Sequence, residues 1–321
     1  MLLDILRSFP SQFSWEPKIE NEKNLRQKDI FVVAGMGGSH LAANVLNSCQ
    51  PSLDVIVYSD YGLNLPASVL DNSLIIISSY SGNTEEALDA LNSAMDKKLA
   101  AAVITTGGKL LEIAQKNNIP YIKMPDIKTQ PRFALGYSFV SLLKLIGENS
   151  LLNQAAMLAE ILDPKVAEEK GAELAKKLQN KVPVIYSSTK NFSAAYNWKI
   201  KFNETGKIPA FCNVFPELNH NEMNGFDTKG QTMALMKDFQ FIFLKDSNDE
   251  PRIIKRMEAT KSILERQEFK VDLVEMAGES PMHKIFQSLM TADFASYCLA
   301  EFYGNEPEQI PMVEDFKKMI G

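Results

Sequence analysis

The sequence predicts an α/β protein with two doubly wound domains, each a parallel sheet flanked by helices. The chain has 321 residues, which is enough for two domains of ordinary size. Short runs rich in Val and Ile alternate with segments of helical length, a pattern typical of βαβ units. The alternation occurs twice along the chain, so both halves are expected to share one architecture.

The first domain is expected to span residues 1–150. Its last helix is predicted from "ALGYSFVSLLKLIG", and a hinge is expected near Glu148 to Leu152. The predicted strands lie in five β-rich runs: "DIFVVAG", "LDVIVYSD", "SLIIISS", "AAVITTG" and "IPYIKMP".

The second domain is expected to span residues 151–321, with a long helix around Val166 to Leu178 near its start. Its predicted strands lie in four runs: "VPVIYSS", "IPAFCNVF", "FQFIFLKD" and "FKVDLVEMA".

Composition excludes several classes of protein. The chain is 45% hydrophobic and 23% charged, as in folded globular proteins, and has no apolar segment long enough for a membrane span. The N-terminal residues lack the features of a secretion signal, so a cytoplasmic location is expected. The net charge of −6 disfavours a nucleic-acid-binding face. The scattered Cys49, Cys212 and Cys298 suggest buried thiols and neither disulfides nor a zinc site.

Two turns rich in glycine or hydroxyl groups follow predicted strands of the first half. One is "VVAGMGGSHLAANVL", which contains Gly38 and Ser39, and the other is "SSYSGNTEE". Each turn leads into a helix, so backbone N–H groups and the positive end of the helix dipole face the crevice beyond the sheet. Such turns favour an anion.

Two simpler interpretations compete with anion binding. Ser81 is a candidate helix N-cap, with Thr84 and two glutamates in favourable positions after it, but this leaves Ser79 unexplained. The GxGG turn resembles part of a dinucleotide fingerprint, yet it lacks the third glycine at the required position. Three closely spaced hydroxyls are suited to a phosphate monoester.

The stretch "SSYSGNTEE" resembles the phosphosugar-binding signature of the sugar isomerase (SIS) domain family. Two such halves in one chain resemble the bifunctional phosphoglucose/phosphomannose isomerases. The resemblance implies two SIS-type α/β domains, each with a parallel five-stranded sheet flanked by helices. The resemblance implies that the 6-phosphate of a hexose is the bound anion, with no metal and no cofactor. It assigns phosphate binding to Gly38, Ser39, Ser79, Ser81 and Thr84.

Aldose–ketose isomerisation needs a base near C1 and C2 of the sugar. Glu204 in "KIKFNETGKIPAF" is an ordinary solvated helix-end glutamate by the simplest interpretation. The segment "NETGK" resembles the family segment that carries the proton-transferring glutamate, which implies this role for Glu204.

His220 lies in the polar turn "FPELNHNEMNGF". An "LNHNE"-like motif carries the ring-opening histidine in the family, contributed by the neighbouring subunit, so the resemblance implies a homodimer. His40 is expected to have an ordinary structural role, and His283 is expected at a helix start.

Two cations complete the implied site. Arg132 in "TQPRFALGYS" resembles the arginine that stabilises the enediolate, although an inter-domain ion pair is an equal alternative on the sequence alone. Lys317 in "QIPMVEDFKKMIG" resembles the lysine that assists ring opening; its alternatives are Lys318, one residue on, or a solvated helix face. Dual-specificity relatives carry Thr where this chain has Ile310, which leaves the preference between glucose and mannose open.

The sequence thus predicts a metal-independent isomerase that interconverts glucose 6-phosphate, and mannose 6-phosphate, with fructose 6-phosphate through a cis-enediol. The alternatives are another SIS-family phosphosugar isomerase, acting on aminosugar or heptose phosphates, and a sugar-phosphate-binding module without catalysis. The physiological direction is not fixed by the sequence.

Overall fold

A computed structural model describes residues 2–227 and 230–320. The chain forms two compact units, an N-terminal unit of Ser8–Leu162 and a C-terminal unit of Asp163–Gly321 with Met1–Arg7. This division differs from the expected boundary after residue 150. Helix α7 (Asn149–Ile161) packs against helix α6 and the 3₁₀ segment Phe9–Ser14, so it belongs with the N-terminal unit.

The N-terminal unit contains a parallel five-stranded sheet in the order β2-β1-β3-β4-β5, as predicted. Its strands are β1 (Ile30–Ala34), β2 (Asp54–Tyr58), β3 (Ser73–Ser78), β4 (Ala100–Thr105) and β5 (Tyr121–Lys123). Its helices are α2 (Leu41–Cys49), α3 (Ala67–Asn72), α4 (Glu85–Asp96), α5 (Gly108–Lys116), α6 (Leu135–Ile146) and α7.

The C-terminal unit has a parallel sheet in the order β7-β6-β8-β9, so the expectation of a fifth strand is wrong for the described residues. After β9 the chain instead enters the 23-residue helix α11, which Ser280 caps through the backbone N–H of His283. The strands are β6 (Val182–Ser188), β7 (Phe211–Phe215), β8 (Phe239–Lys245) and β9 (Val271–Glu275). The helices are α1 (Leu2–Arg7), α8 (Pro164–Lys177), α9 (Phe192–Glu204), α10 (Pro251–Arg266), α11 (Pro281–Tyr303) and α12 (Pro311–Ile320).

Helices α9 and α10 cover opposite faces of the C-terminal sheet. The crossovers β6-α9-β7 and β8-α10-β9 advance in opposite directions across the sheet, so the right-handed rule puts their helices on opposite sides. On one side α9 is bonded to α11, where the Trp198 indole donates to Ser288 Oγ at 3.0 Å. On the other side, Met257 of α10 shares a buried apolar cluster with Leu218 and Tyr186. This separation determines which predicted site residues share a face.

Among the described residues, no helix has the length and apolar character that a membrane span requires. The three cysteines, all among the described residues, form no disulfide bond and are half-buried. Burial raises the pKa of the Cys212 and Cys298 thiols above the ordinary value, which disfavours the reactive thiolate.

Candidate functional site

The two polar turns of the N-terminal unit lie at the switch point of its sheet. Strands β1 and β3 are neighbours, and their crossovers leave toward β2 on one side and β4 on the other. The turns that follow these strands therefore border a crevice at the carboxyl edge, where doubly wound sheets bind ligands. We call this region the N-terminal switch point.

Hydroxyl groups converge after β3. Ser79 Oγ and Thr84 Oγ1 are 2.8 Å apart, and the Gly82 N–H donates to Ser79 Oγ at 3.2 Å. Thr84 occupies the N-cap position of α4, but its side chain makes no capping bond. The exposed Ser81 accepts from the Asn83 N–H at 3.2 Å and is not the N-cap. Helix capping therefore does not account for these hydroxyls.

Ser39 joins the turn after β1 to the turn after β3. Its side chain is buried, and its Oγ accepts from the Tyr80 N–H at 3.2 Å. Its carbonyl oxygen accepts from Ser78 Oγ at 2.8 Å. The two turns form one connected surface, which brings Ser39 to the same place as Ser79.

A third turn, after β4, supports the second one and was missed by the sequence analysis. Gly82 has φ +68°, and a Cβ there would lie 1.8 Å from the Gly107 carbonyl oxygen. Gly108 has φ +69°, and a Cβ there would lie 2.4 Å from the Ser81 carbonyl oxygen. The signal that could have identified this interlocked pair of turns is the "TTGG" run at the end of "AAVITTGG".

Arg132 lies beside the first turn. A Cβ at Gly38 would lie 3.1 Å from the Arg132 backbone nitrogen, a tight contact, so glycine favours the close approach of the Pro131–Phe133 turn. Arg132 is 2% exposed, and its guanidinium carbon lies 4.5 Å from the centre of the Phe133 ring. The N-terminal unit thus brings all its predicted site residues to one edge of the sheet.

Tyr80 connects the second turn to the segment that precedes Arg132. Its hydroxyl accepts from the Ile127 N–H at 3.1 Å and donates to Asp126 Oδ1 at 3.3 Å. Burial, with the nearby Asp126 carboxylate, raises the pKa of Tyr80 to about 12, so the phenol stays protonated and keeps donating. In "SSYSGNT", the tyrosine is a structural tether among the hydroxyl positions.

Glu204 is the last residue of α9 and is half-buried. Lys207 folds back to the helix end, where its Nζ donates to the Glu204 carbonyl oxygen at 2.6 Å and also to the Gln309 carbonyl oxygen. One turn earlier, a buried ion pair of 2.6 Å joins Lys201 to Asp293 of α11. These contacts hold the end of α9 against α11 and the segment before α12.

His220 lies at the end of the 3₁₀ turn Glu217–His220 and is exposed. The following Glu222 anchors this segment, since it accepts from the Tyr186 hydroxyl at 2.6 Å and from the Asn213 amide. Burial and the Glu222 carboxylate raise the pKa of Tyr186, which keeps this phenol a donor. The motif fixes its backbone while presenting the imidazole outward.

The segments that carry Glu204 and His220 pack on opposite faces of the C-terminal sheet. Glu204 ends α9 on one face, whereas Leu218, two residues before His220, packs in the α10 cluster on the other face.

Lys317 and Lys318 are exposed on α12 and make ion pairs along the helix. Lys317 Nζ lies 2.8 Å from Glu314, and Lys318 Nζ lies 3.0 Å from Asp315. Within the described part of the chain, neither lysine forms an ion pair with Glu204. The choice of Lys317 over Lys318 stays a prediction.

The remaining histidines have structural contacts. His40 is buried, its ring bonds to the Asn44 amide at 3.1 Å, and burial lowers its pKa. His283 begins α11, with its N–H bonded to Ser280 Oγ at 3.2 Å, which confirms the expected helix-start position.

Solved structures share this fold. A glucosamine-6-phosphate deaminase from Thermotoga maritima has a TM-score of 0.68 at 15% identity, covering 95% of this chain and 93% of that one. A tagatose-6-phosphate ketose/aldose isomerase from Escherichia coli has a TM-score of 0.66 at 16% identity, covering 95% and 89%.

Sequence comparison is more specific. Residues 167–320 match the bacterial phospho-glucose isomerase C-terminal SIS domain. A bifunctional phosphoglucose/phosphomannose isomerase from Caldicellulosiruptor bescii is 36% identical, covering 92% of this chain and 91% of that protein. Another, from Thermoplasma acidophilum, is 35% identical, covering 90% and 89%. The chain therefore belongs to the bifunctional phosphoglucose/phosphomannose isomerase family.

Proposed function

We propose that this protein is an aldose–ketose isomerase that converts glucose 6-phosphate and mannose 6-phosphate to fructose 6-phosphate and back. The observation that carries the proposal is the convergence of Ser39, Ser79 and Thr84 at a sheet switch point beside Arg132. The relatives at 35 and 36% identity bear the name of this activity.

The phosphate is proposed to bind the hydroxyls of Ser39, Ser79, Ser81 and Thr84, with Gly38 in the supporting turn. Hydrogen bonds from neutral donors to a charged phosphate are strong, and the start of α4 adds the positive end of a helix dipole. The hydroxyl of Ser79 that bonds Thr84 in the free protein is a donor that can turn toward the ligand. This arrangement holds the unreactive end of the sugar.

The chemistry is proposed to use four residues of the chain. His220 and Lys317 move protons between O1 and O5 as the sugar ring opens. The Glu204 carboxylate then removes the C2 proton of the open-chain aldose, which gives the cis-enediolate; the O2 proton passes to O1, and Glu204 returns its proton to C1, which gives the ketose. Arg132 stabilises the negative charge that develops on the enediolate oxygens.

A homodimer with His220 donated by the partner copy is part of the proposal. Two observations support it: Leu218, two residues before His220, packs on the face of the C-terminal sheet opposite to α9, which ends at Glu204, and His220 is exposed. A second copy can bring its own exposed histidine to the face that carries Glu204.

The activity is tested by a coupled assay of fructose 6-phosphate formation from glucose 6-phosphate and from mannose 6-phosphate, with and without EDTA. We expect turnover of both sugars at rates that EDTA leaves unchanged. Turnover of neither sugar would refute the proposed function. Turnover of glucose 6-phosphate alone would restrict the proposed function to one of the two aldoses.

The shared site is tested by mixing two inactive variants, Glu204→Gln and His220→Ala, after unfolding and refolding them together. A mixed dimer then contains one site with both native groups, so random pairing restores about a quarter of the native activity. Glu204→Gln mixed with Glu204→Ala is the matched control and restores none. A site contained within one chain would give no recovery in either mixture.

A further inference from the structure

The side chain of Gln12 joins the Arg132 turn to helix α6. Gln12 lies in the 3₁₀ segment Phe9–Ser14 and is 3% exposed. Its amide nitrogen donates to the Phe133 carbonyl oxygen at 2.6 Å. Its amide oxygen accepts from the backbone N–H groups of Gly136 at 3.0 Å and Tyr137 at 3.4 Å. All three contacts fall within five residues of Arg132.

Helix α6 needs an external acceptor at its start. Ala134 occupies the N-cap position and has no side-chain acceptor, so the first N–H groups of the helix have no local capping partner. Gln12 supplies that acceptor from far along the chain. A Cβ at Gly136 would lie 2.7 Å from Gln12 Cβ, so the close approach depends on glycine at this position.

The donor half of the amide is not explained by capping. The Gln12 nitrogen holds the carbonyl of Phe133, the residue next to Arg132 and the ring beneath its guanidinium. On the other side, the same turn packs against Gly38. The turn is therefore fixed between the first polar turn and the Gln12 amide.

We infer that Gln12 is a positioning residue for Arg132, holding the guanidinium where it meets the developing enediolate. This inference rests on the proposed function, in which Arg132 stabilises that intermediate. A displacement of about 1 Å at a reacting group can lower the rate by roughly 100-fold. Fixing the Phe133 carbonyl limits the movement of Arg132 and so helps to maintain kcat.

Two variants separate positioning from helix capping. Gln12→Ala removes the donor and the acceptor together. Gln12→Glu keeps an acceptor for the α6 N–H groups, but it sets a carboxylate oxygen against the Phe133 carbonyl in place of the amide donor. Positioning predicts that kcat falls at least tenfold in both variants, whereas KM and the inhibition constant for inorganic phosphate change less than threefold.

The matched control is Ser141→Ala. Ser141 is buried on α6 and donates to the Tyr137 carbonyl oxygen at 2.7 Å, so its loss removes a buried hydrogen bond from the same helix. We expect a lower thermal midpoint with kcat within twofold of the native enzyme. If Gln12→Glu melts near the native temperature and keeps native kcat, the inference is wrong.

A double-mutant cycle with Arg132→Ala distinguishes failure of this inference from failure of the proposed function. If Gln12 acts through Arg132, Gln12→Ala lowers kcat in the native background but not in the Arg132→Ala background. Equal loss in both backgrounds would overturn the positioning role while leaving the role of Arg132 intact. If Arg132→Ala alone retains native kcat, the proposed role of Arg132 fails, and the inference fails with it.

Discussion

The two units have the same sheet topology around their switch points, but the residues that follow the strands differ in kind. In the N-terminal unit, β1 and β3 are followed by glycines and neutral hydroxyls. In the C-terminal unit, the equivalent position lies between β6 and β8, where buried carboxylates bond the buried Lys284 and the more exposed Lys190. We call this region the C-terminal switch point.

The C-terminal network is bonded internally. Ser188 Oγ donates to Asp249 at 2.6 Å, and Lys190 Nζ lies 3.0 Å from Asp246. Lys284 of α11 also bonds Asp246. Burial alone would raise the pKa of Asp246, but the bonds from Lys284 and its neighbours bring it down to about 2.

The sheet topology forms a crevice in both units, and the charge of the side chains that line it determines whether an anion can bind. Two carboxylates at the C-terminal switch point repel a phosphate, and the lysines that might attract one are already paired. Under the proposed function, the N-terminal edge binds the ligand, whereas the paired groups at the C-terminal edge stabilise their own unit.

The largest expected effect lies outside both switch points, at the end of α9. Glu204→Gln should lower kcat by roughly 10²- to 10⁴-fold, because a general base is lost, with little change in KM. Steady-state kinetics with glucose 6-phosphate tests this, with the exposed Glu169→Gln of α8 as control. Substantial residual activity would end the assignment of Glu204 as the base.

The next effect concerns the stability of the C-terminal switch point. Asp246→Asn leaves Lys284 buried beside a neutral group, which should destabilise the protein by about 3–5 kcal/mol at neutral pH. Because Asp246 has a pKa of about 2, below its unfolded value, its stabilising contribution is present above roughly pH 4 and is lost as pH falls toward 2.

The difference between the native protein and Asp246→Asn should therefore shrink between about pH 4 and pH 2. Urea unfolding followed by Trp198 fluorescence in a Trp15→Phe background measures this in the C-terminal unit. Asp315→Asn, which removes only an exposed ion pair, is the control and should cost less than about 1 kcal/mol. A pH-independent difference would contradict the pairing described here.

A paired substitution tests the comparison directly. Ser79→Ala should raise KM about 10- to 100-fold through loss of a bond to a charged group, whereas Ser188→Ala should leave KM unchanged and reduce stability by about 1–3 kcal/mol. Competition by inorganic phosphate and thermal unfolding measure the two outcomes. If Ser188→Ala raised KM as much as Ser79→Ala, the distinction between the two switch points would be lost.

The smallest effect is expected on α12. Lys317→Met should lower kcat/KM about tenfold, at the low end for proton transfer, because ring opening is slowed, and Lys318→Met should leave it unchanged. Anomerically resolved substrate assays by NMR isolate the ring-opening step. An effect confined to Lys318→Met would shift the register of the proposed lysine by one residue.

Much of the fold was predictable because strands buried on both faces read as continuous apolar runs. Every residue of β3 is buried, and its "SLIII" sequence identified it plainly. The expected fifth strand of the second sheet came from the family resemblance, and no apolar run in the second half supported it. The boundary was misplaced because α7 is polar enough to resemble a linker, although it packs on Phe9–Ser14.

The hydroxyl cluster was predictable as a motif, but the residues that hold the surrounding turns in place were not. Tyr80 and Gln12 act through bonds to segments 46 and 121 residues away, which no local pattern in one sequence reveals. The roles of Glu204, His220 and Lys317 came from resemblance and stay predictions, since the described residues of one chain do not bring them together.

The interlocked turns set a limit on how this site can be redesigned. At Gly82 and Gly108 the atoms in the way are carbonyl oxygens of the opposite turn, 1.8 and 2.4 Å from any added Cβ. A clash with a side chain can be relieved by a second substitution, but a clash with backbone cannot. Variant libraries aimed at new phosphorylated substrates should therefore fix both glycines and diversify the hydroxyl positions around them.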